Sequence, residues 1–189
     1  MTIQHKTITG TDLHEPKGVA AAAANKVYVA NGSASGAWST LTTSTMALPK
    51  GKFYFYNIGS PYTLSHSGST AKVAPTTIAS GLGSLVTEAT SARLTYTGTL
   101  TAVVKLDFDV SVKQASGADR DIMISVHRNG SVIAGSQVLV TSVTADLHQA
   151  AGSCFYNAAT NDYFEIYAQN TGASGDMVFQ KVSLTLTAT

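Results

Sequence analysis

The run Val103-Val104-Lys105-Leu106-Asp107-Phe108-Asp109-Val110-Ser111-Val112 sets apolar side chains at 104, 106, 108, 110 and 112 and puts Lys105, Asp107, Asp109 and Ser111 between them. A period of two is the signature of a strand with one face in a core and the other in water, whereas a helix would scatter these charges through its buried side. After a polar break at Gln114 to Asp119, a second alternating run places Ile122, Ile124 and Val126 on one side and Met123, Ser125 and His127 on the other. Arg128-Asn129-Gly130-Ser131 follows it. Asn-Gly tolerates positive φ at both central positions of a type I′ turn, so this dipeptide predicts a tight hairpin returning through Val132 and Ile133.

The same pattern recurs on both sides of that hairpin. Lys52-Phe53-Tyr54-Phe55-Tyr56-Asn57 predicts an aromatic strand, broken at Ser60-Pro61-Tyr62-Thr63. Short strands are expected around Lys72-Val73, Leu85-Val86-Thr87 and Arg93-Leu94-Thr95-Tyr96, with a loop from Pro75 to Gly83. Beyond the hairpin, strands are expected at Gln137 to Val143, Leu147 to Phe155, Tyr163 to Gln169 and Met177 to Thr187. Strands about ten residues apart, joined by polar turns, indicate an antiparallel β-sandwich or jelly roll. In Tyr163-Phe164-Glu165-Ile166-Tyr167 the alternation leaves Tyr163, Glu165 and Tyr167 opposite Phe164, Ile166 and Ala168. An open sheet face seldom carries two tyrosines unless something covers them, and the two readings are a solvated ladder and a contact between subunits.

The N-terminal region follows a different rule. Residues 1 to 12 read as an extended arm, and Pro16 forces Glu15 into an extended conformation. Ala20 to Ala24 is compatible with a helical turn or two, Val27-Tyr28-Val29-Ala30 with a short strand ended by Asn31-Gly32, and Ser33 to Gly36 with a loop before Trp38. Too few apolar residues occur here for an independent core, so the region is expected to need a partner surface. Ser39 to Thr45 is a polar joint, which divides the chain into an attachment arm and linker (1–45) and a sandwich domain (46–189).

Composition sharpens this picture. Only 12 % of the 189 residues are charged and Glu occurs three times (Glu15, Glu88, Glu165), so an all-β fold is favoured over a helical one. With a net charge of +1 and no cluster of Lys or Arg, the electrostatic footprint of a nucleic-acid binder is missing. No apolar run reaches the length of a membrane span, and Met1 to Lys6 lacks the core of a secretory signal, so synthesis in a cytoplasm without membrane insertion is expected. Cys154, the single cysteine, sits beside Phe155 and Tyr156 and reads as a small buried thiol.

Candidate chemistry is sparse. Five histidines (His5, His14, His66, His127, His148) could serve as bases, but Asp146 near His148 reads as a surface neighbour, and serines are abundant enough to fall near a histidine by chance. Asp107 and Asp109 stand about 7 Å apart on the solvent face of one strand, a weak signal for paired-carboxylate chemistry. Asp12, His14 and Glu15 cannot all face one ion without a turn, and Asp119 and Asp121 flank Arg120 as a charge pair or as ligands of a Ca²⁺ ion between strands. The expectation is a non-enzyme with neither cofactor nor metal.

Two resemblances give these readings a direction. Asp12-Leu13-His14-Glu15-Pro16-Lys17-Gly18-Val19, then Val27 to Gly32, then Trp38 resembles the N-terminal module of many tailed-bacteriophage virion proteins, over residues 8 to 41. That resemblance implies a segment attaching to the capsid or another virion protein through Leu13, His14, Glu15, Pro16, Lys17, Tyr28 and Trp38. Arg93 to Gly98, the long strand, the strand ending in His127-Arg128-Asn129-Gly130, Asn161 to Asn170, and the terminal Val182 to Thr187 resemble the trimeric jelly rolls of the tumour necrosis factor and complement globular-head type, over residues 50 to 189. Asn161-Asp162 stands where many relatives have Gly-Asp, which bears on the turn alone. This second resemblance implies a homotrimer, with Tyr163 and Tyr167 covered around a threefold axis. Together they imply a virion protein decorating the capsid as a head fibre or cement protein, able to adhere to host or surface glycans. The alternative is a tail-fibre receptor-binding protein. The absence of coiled-coil, collagen-like or β-helical repeats favours the head.

Overall fold

A computed structural model describes residues 26–30, 36–40, 47–81, 83–89, 91–117, 119–142, 146–172 and 174–189. The chain divides into two compact units, Met1–Ala47 and Leu48–Thr189. In the first, β1 (Lys26–Ala30) pairs antiparallel with β2 (Gly36–Thr40), which sets Tyr28 opposite Trp38 in the backbone register. The sequence led us to expect β1, a loop over Ser33 to Gly36 before Trp38 and a polar joint from Ser39; the backbone over Gly36–Thr40 is the second strand of a hairpin. The expected helical turn at Ala20 to Ala24 and the attachment residues Leu13, His14, Glu15, Pro16 and Lys17 lie outside the described residues.

The second unit is all-β in its described residues: β3 (Lys50–Tyr56), β4 (Tyr62–Leu64), β5 (Ala71–Lys72), β6 (Ala79–Ser80), β7 (Val86–Ala89), β8 (Arg93–Tyr96), β9 (Ala102–Gln114), β10 (Arg120–Arg128), β11 (Ser131–Val132), β12 (Val138–Ser142), β13 (His148–Ala158), β14 (Tyr163–Asn170) and β15 (Met177–Ala188). One sheet runs β13-β9-β15-β3-β6 with β4 added on β15, and the other runs β11-β10-β14-β8-β7 with β12 on β10 and β5 on β14. Every strand pairing is antiparallel. The chain changes sheet between β4 and β5, β5 and β6, β6 and β7, β8 and β9, β9 and β10, β12 and β13, β13 and β14, and β14 and β15. Those crossings are those of a jelly roll.

Alternation does the sorting. In β9 the inward residues Val104, Leu106, Val110 and Val112 are fully buried, and they meet Ile122, Ile124, Phe164 and Ile166 of the facing sheet in one core. Each such side chain withdrawn from water contributes about 1.5–3 kcal/mol. Between Phe179 and Lys181 the register of β15 slips by one residue, so that its inward set passes from Met177 and Phe179 to Val182, Leu184 and Leu186. The same slip turns Lys181 outward beside Asp109. On the edge strand β13, a Cβ at Gly152 would stand 2.7 Å from the Phe108 ring, so a side chain there would displace a core aromatic.

The turn at Asn129-Gly130 has φ of 50° and 82°, the left-handed pair that a type I′ hairpin requires, and β11 returns beside β10 as expected. Asn161 also takes a left-handed φ of 69°, which Asn tolerates better than most residues do, so the turn forms with Asn at this position. One break was misplaced: Tyr62–Leu64 forms β4 on β15, because Leu64 lies opposite Met177 and closes the core there.

Candidate functional site

The outward face of β14 is self-contained. Glu165 is 1 % exposed although it points away from the core. Lys72 Nζ (2.5 Å) and Arg93 Nε (2.7 Å) converge on its Oε1, and the Tyr167 hydroxyl donates to Oε2 (3.4 Å). Burial works to raise the carboxyl's pKa, but the hydrogen bonds and charges of Lys72 and Arg93 outweigh it and hold the group below its ordinary value. Tyr167 moves the other way, since burial and the neighbouring Glu165 charge both disfavour its phenolate.

Both tyrosine rings have cover within their own chain. The Arg93 guanidinium lies 3.9 Å from the centre of the Tyr163 ring, and the His127 imidazole stacks on Tyr167 at 3.9 Å and 17°. His127 is fixed in turn, with Nδ1–H donating to the Gly130 carbonyl (3.0 Å) and Nε2 accepting from the Ser125 hydroxyl (3.1 Å). Tyr163 and Tyr167, expected at a subunit contact because nothing in the sequence covered them, are thus half-buried by cations and an imidazole from strands on either side.

Uncovered aromatic surface lies on the other sheet. Tyr54 and Tyr56 project from β3 with 44 % and 65 % exposure, and Phe155 projects from β13 with 62 %. The rows that start at the tyrosines are polar: Tyr54, Ser183, Asp109 and Ala151 stand in line across β3, β15, β9 and β13, and Tyr56, Lys181, Ser111 and Gln149 in the next line, while Phe155 lies opposite Lys105 further along the sheet. Two ion pairs occupy this face, Lys181 with Asp109 and Lys105 with Asp107 at 2.7 Å. The carboxylates considered for paired catalysis are therefore each neutralised by a lysine. Sequence reasoning passed over Tyr54 and Tyr56 as strand formers; their signal was the same two-tyrosine alternation noticed at 163 and 167.

A groove of about 360 Å³ opens at the β13 edge, between the hairpin and that strand, lined by Arg128, Asn129, Ser131, Val132, Phe155 and Tyr156 among others. Arg128 donates from an Nη to Asp162 Oδ1 at 2.9 Å and lies 5.1 Å from the centre of the Tyr156 ring, while its Nε–H is buried without an acceptor. At Asp162 burial again favours the neutral acid, but donors from Arg128, the Ala159 N–H and Asn129 lower the pKa. Cys154, one residue before Phe155, is buried as expected, and burial followed by the nearby Asp107 charge raises its thiol.

The remaining candidates scatter. His66 accepts the Gly68 N–H at Nδ1 (3.1 Å), and His148 has a buried Nε2 without a partner. His5, His14, Asp12 and Glu15 lie outside the described residues. Asp121 accepts a hydrogen bond from Thr141, and among the described residues no three His, Cys, Asp or Glu side chains gather to share an ion. No described helix is long and apolar enough to cross a membrane.

No protein-family model matches the chain, and no curated protein matches it in sequence. Among solved structures it is similar to the Eiger tumour necrosis factor of S. frugiperda (13 % identity, 75 % of this chain and 93 % of that one, TM-score 0.49). It is similar also to murine APRIL (10 %, 74 % and 99 %, 0.48) and to the vertex protein P5 of PRD1 (12 %, 75 % and 97 %, 0.46). Such identities and TM-scores transfer no activity or partner, and the jelly roll described above rests on the strand order and registers of this chain alone.

Proposed function

We propose that this chain is a structural protein of a bacteriophage particle: a homotrimer whose jelly roll projects from the capsid and whose N-terminal segment ties it to a shell protein. The observation that carries self-assembly is the outward face of the six-stranded sheet, where Tyr54, Tyr56 and Phe155 remain uncovered in a chain whose other aromatic face is satisfied internally. Apolar surface of that kind marks contacts between proteins. Attachment is supported by the resemblance of residues 8 to 41, with Leu13, His14, Glu15, Pro16, Lys17, Tyr28 and Trp38 as the contact residues.

The test has two parts. Sedimentation at micromolar concentration should give three chains per particle, and a monomer would refute the assembly. Trp38→Ala should leave the trimer and its melting unchanged while removing the protein from purified virions, because a large aromatic anchor commonly carries about 2 kcal/mol or more of an interface. A Trp38→Ala protein that melted markedly lower yet still decorated particles would assign the residue to a core instead.

A further inference from the structure

Polar side chains close one end of the sandwich core. Gln114 at the end of β9 and Asn170 at the end of β14 point inward, in step with the fully buried Val112 and Ala168, and are 1 % and 2 % exposed. Among the described residues neither end of the Gln114 amide has a hydrogen-bond partner, and neither does Asn170 Nδ2. The two amides converge beside Gly175, where a Cβ would stand 3.3 Å from Asn170 Nδ2 and 3.4 Å from Gln114 Oε1. The backbone at that glycine is fixed from both sides. Gly175 N–H donates to the His66 carbonyl (3.3 Å), the Ala115 N–H to the Asp176 carbonyl (2.9 Å) and the His66 N–H to Asp176 Oδ1 (3.3 Å). That network keeps the loop from settling onto the amides.

We propose that this end of the core binds internal water, one molecule of which joins Asn170 Nδ2 to Gln114 Oε1 beside Gly175. Native interiors rarely leave a buried amide unpaired, and three such atoms in one place call for a shared ligand. The chemistry selects water over a cation. Asn170 is fixed in orientation because its Oδ1 accepts the Gly172 N–H (3.3 Å), so it turns a donor toward the site. A ligand there must accept from Asn170 and donate to Gln114, which water does, whereas a metal ion or an ammonium group has no lone pair for the first bond. Polar atoms that converge on one small space without bonding directly are joined by water at little enthalpic cost. Because β9 belongs to one sheet and β14 to the other, that molecule ties the two sheets together where the apolar core ends. Position 175 must then lack a side chain, since a Cβ would take the space of the water and bond to neither amide.

Nuclear magnetic resonance on the full-length wild type tests it, and because the site lies within one chain the readout is the same for a monomer or an assembly. The side-chain NH2 protons of Asn170 and Gln114 should show cross-relaxation with water of opposite sign in the laboratory and rotating frames, the mark of a water that tumbles with the protein. Cross-relaxation between the two side chains with none to water would mean that the amides bond directly, and overturns the site. The Ser142 hydroxyl accepts the Gln114 N–H (3.0 Å) and is a second route by which solvent protons reach this place, so the signals should persist in Ser142→Ala. Their loss there would assign them to the hydroxyl and overturn the site as well. Gly175→Ala should abolish both water signals and raise the unfolding equilibrium constant in urea by about tenfold, because the amides lose their shared partner. Water signals that survive in Gly175→Ala overturn the proposal. If that variant does not fold, the wild-type spectrum decides alone: an Asn170 NH2 group without contact to a bound water refutes it.

Discussion

The two outward sheet faces of the sandwich are built from the same alternating pattern and end in opposite states. On β14, Tyr163, Glu165 and Tyr167 meet Arg93, Lys72 and His127 from neighbouring strands, and the face closes on itself. On β3, Tyr54 and Tyr56 look across Ser183 and Lys181, which are too short or already engaged with Asp109 to cover a ring, and only Lys52 of the same strand approaches Tyr54, at 5.6 Å from its centre, leaving both rings exposed. What separates a covered face from an exposed one is therefore the size and charge of the residues that neighbour the rings. A row of aromatics is only half of the description.

If the β14 face is held together by its own chain, breaking its centre should cost stability in the isolated subunit. Glu165→Gln keeps the shape but leaves Lys72 and Arg93 without a counter-charge, and should cost about 2 kcal/mol at pH 7 in urea unfolding. The pH dependence has a definite sign. Because the folded carboxyl titrates below its ordinary value of about 4.3, its contribution is fully present above that pH and is lost as pH falls through the lowered folded value. The wild type should therefore lose stability below about pH 4 more steeply than Glu165→Gln. Parallel acid profiles for the two proteins would mean that the cations do not stabilise the carboxylate.

The stack of His127 on Tyr167 should contribute less. A double-mutant cycle with His127→Ala and Tyr167→Ala should return a coupling of about 0.5–1.5 kcal/mol, the range for paired rings beyond their buried area. Zero coupling would make the stack a coincidence of packing and reopen Tyr167 to a partner from outside the chain.

How much of this was legible follows from what a period of two encodes. It assigns each residue of one strand to a face, so the inward set of β9 and the sides of Phe164 and Tyr163 followed from the sequence. The Asn129-Gly130 turn was legible because its backbone chemistry is local. Pairing between distant strands is not encoded that way. Nothing near Glu165 announces Lys72, 93 residues away, or Arg93, 72 away, and so the burial of this carboxylate within its own chain was not read from the sequence. The slip in β15 was visible as two polar residues, Gln180 and Lys181, where one would keep the alternation between Phe179 and Val182. The Arg128 groove had no such trace, because it joins a turn to an edge strand some 20 residues on.

The smallest expected effect tests the comparison most directly, because each face carries a lysine–carboxylate pair. Lys72 and Glu165 have side chains 22 % and 2 % exposed, whereas Lys181 and Asp109 are 34 % and 33 % exposed. A pair so open to water is screened and gains little over its solvated partners, so Lys181→Met should change stability by less than about 0.5 kcal/mol in the dissociated subunit. The substitution keeps the apolar stem, so a change in packing does not obscure the result. Urea unfolding over a range of protein concentrations gives the second reading. If this face is covered when copies associate, the unfolding midpoint of the wild type should rise with concentration by mass action, and the cost of Lys181→Met should rise with it. A cost near 2 kcal/mol already present at the lowest concentration would show that the pair is as protected as Lys72 and Glu165, and the distinction between the two faces would fail.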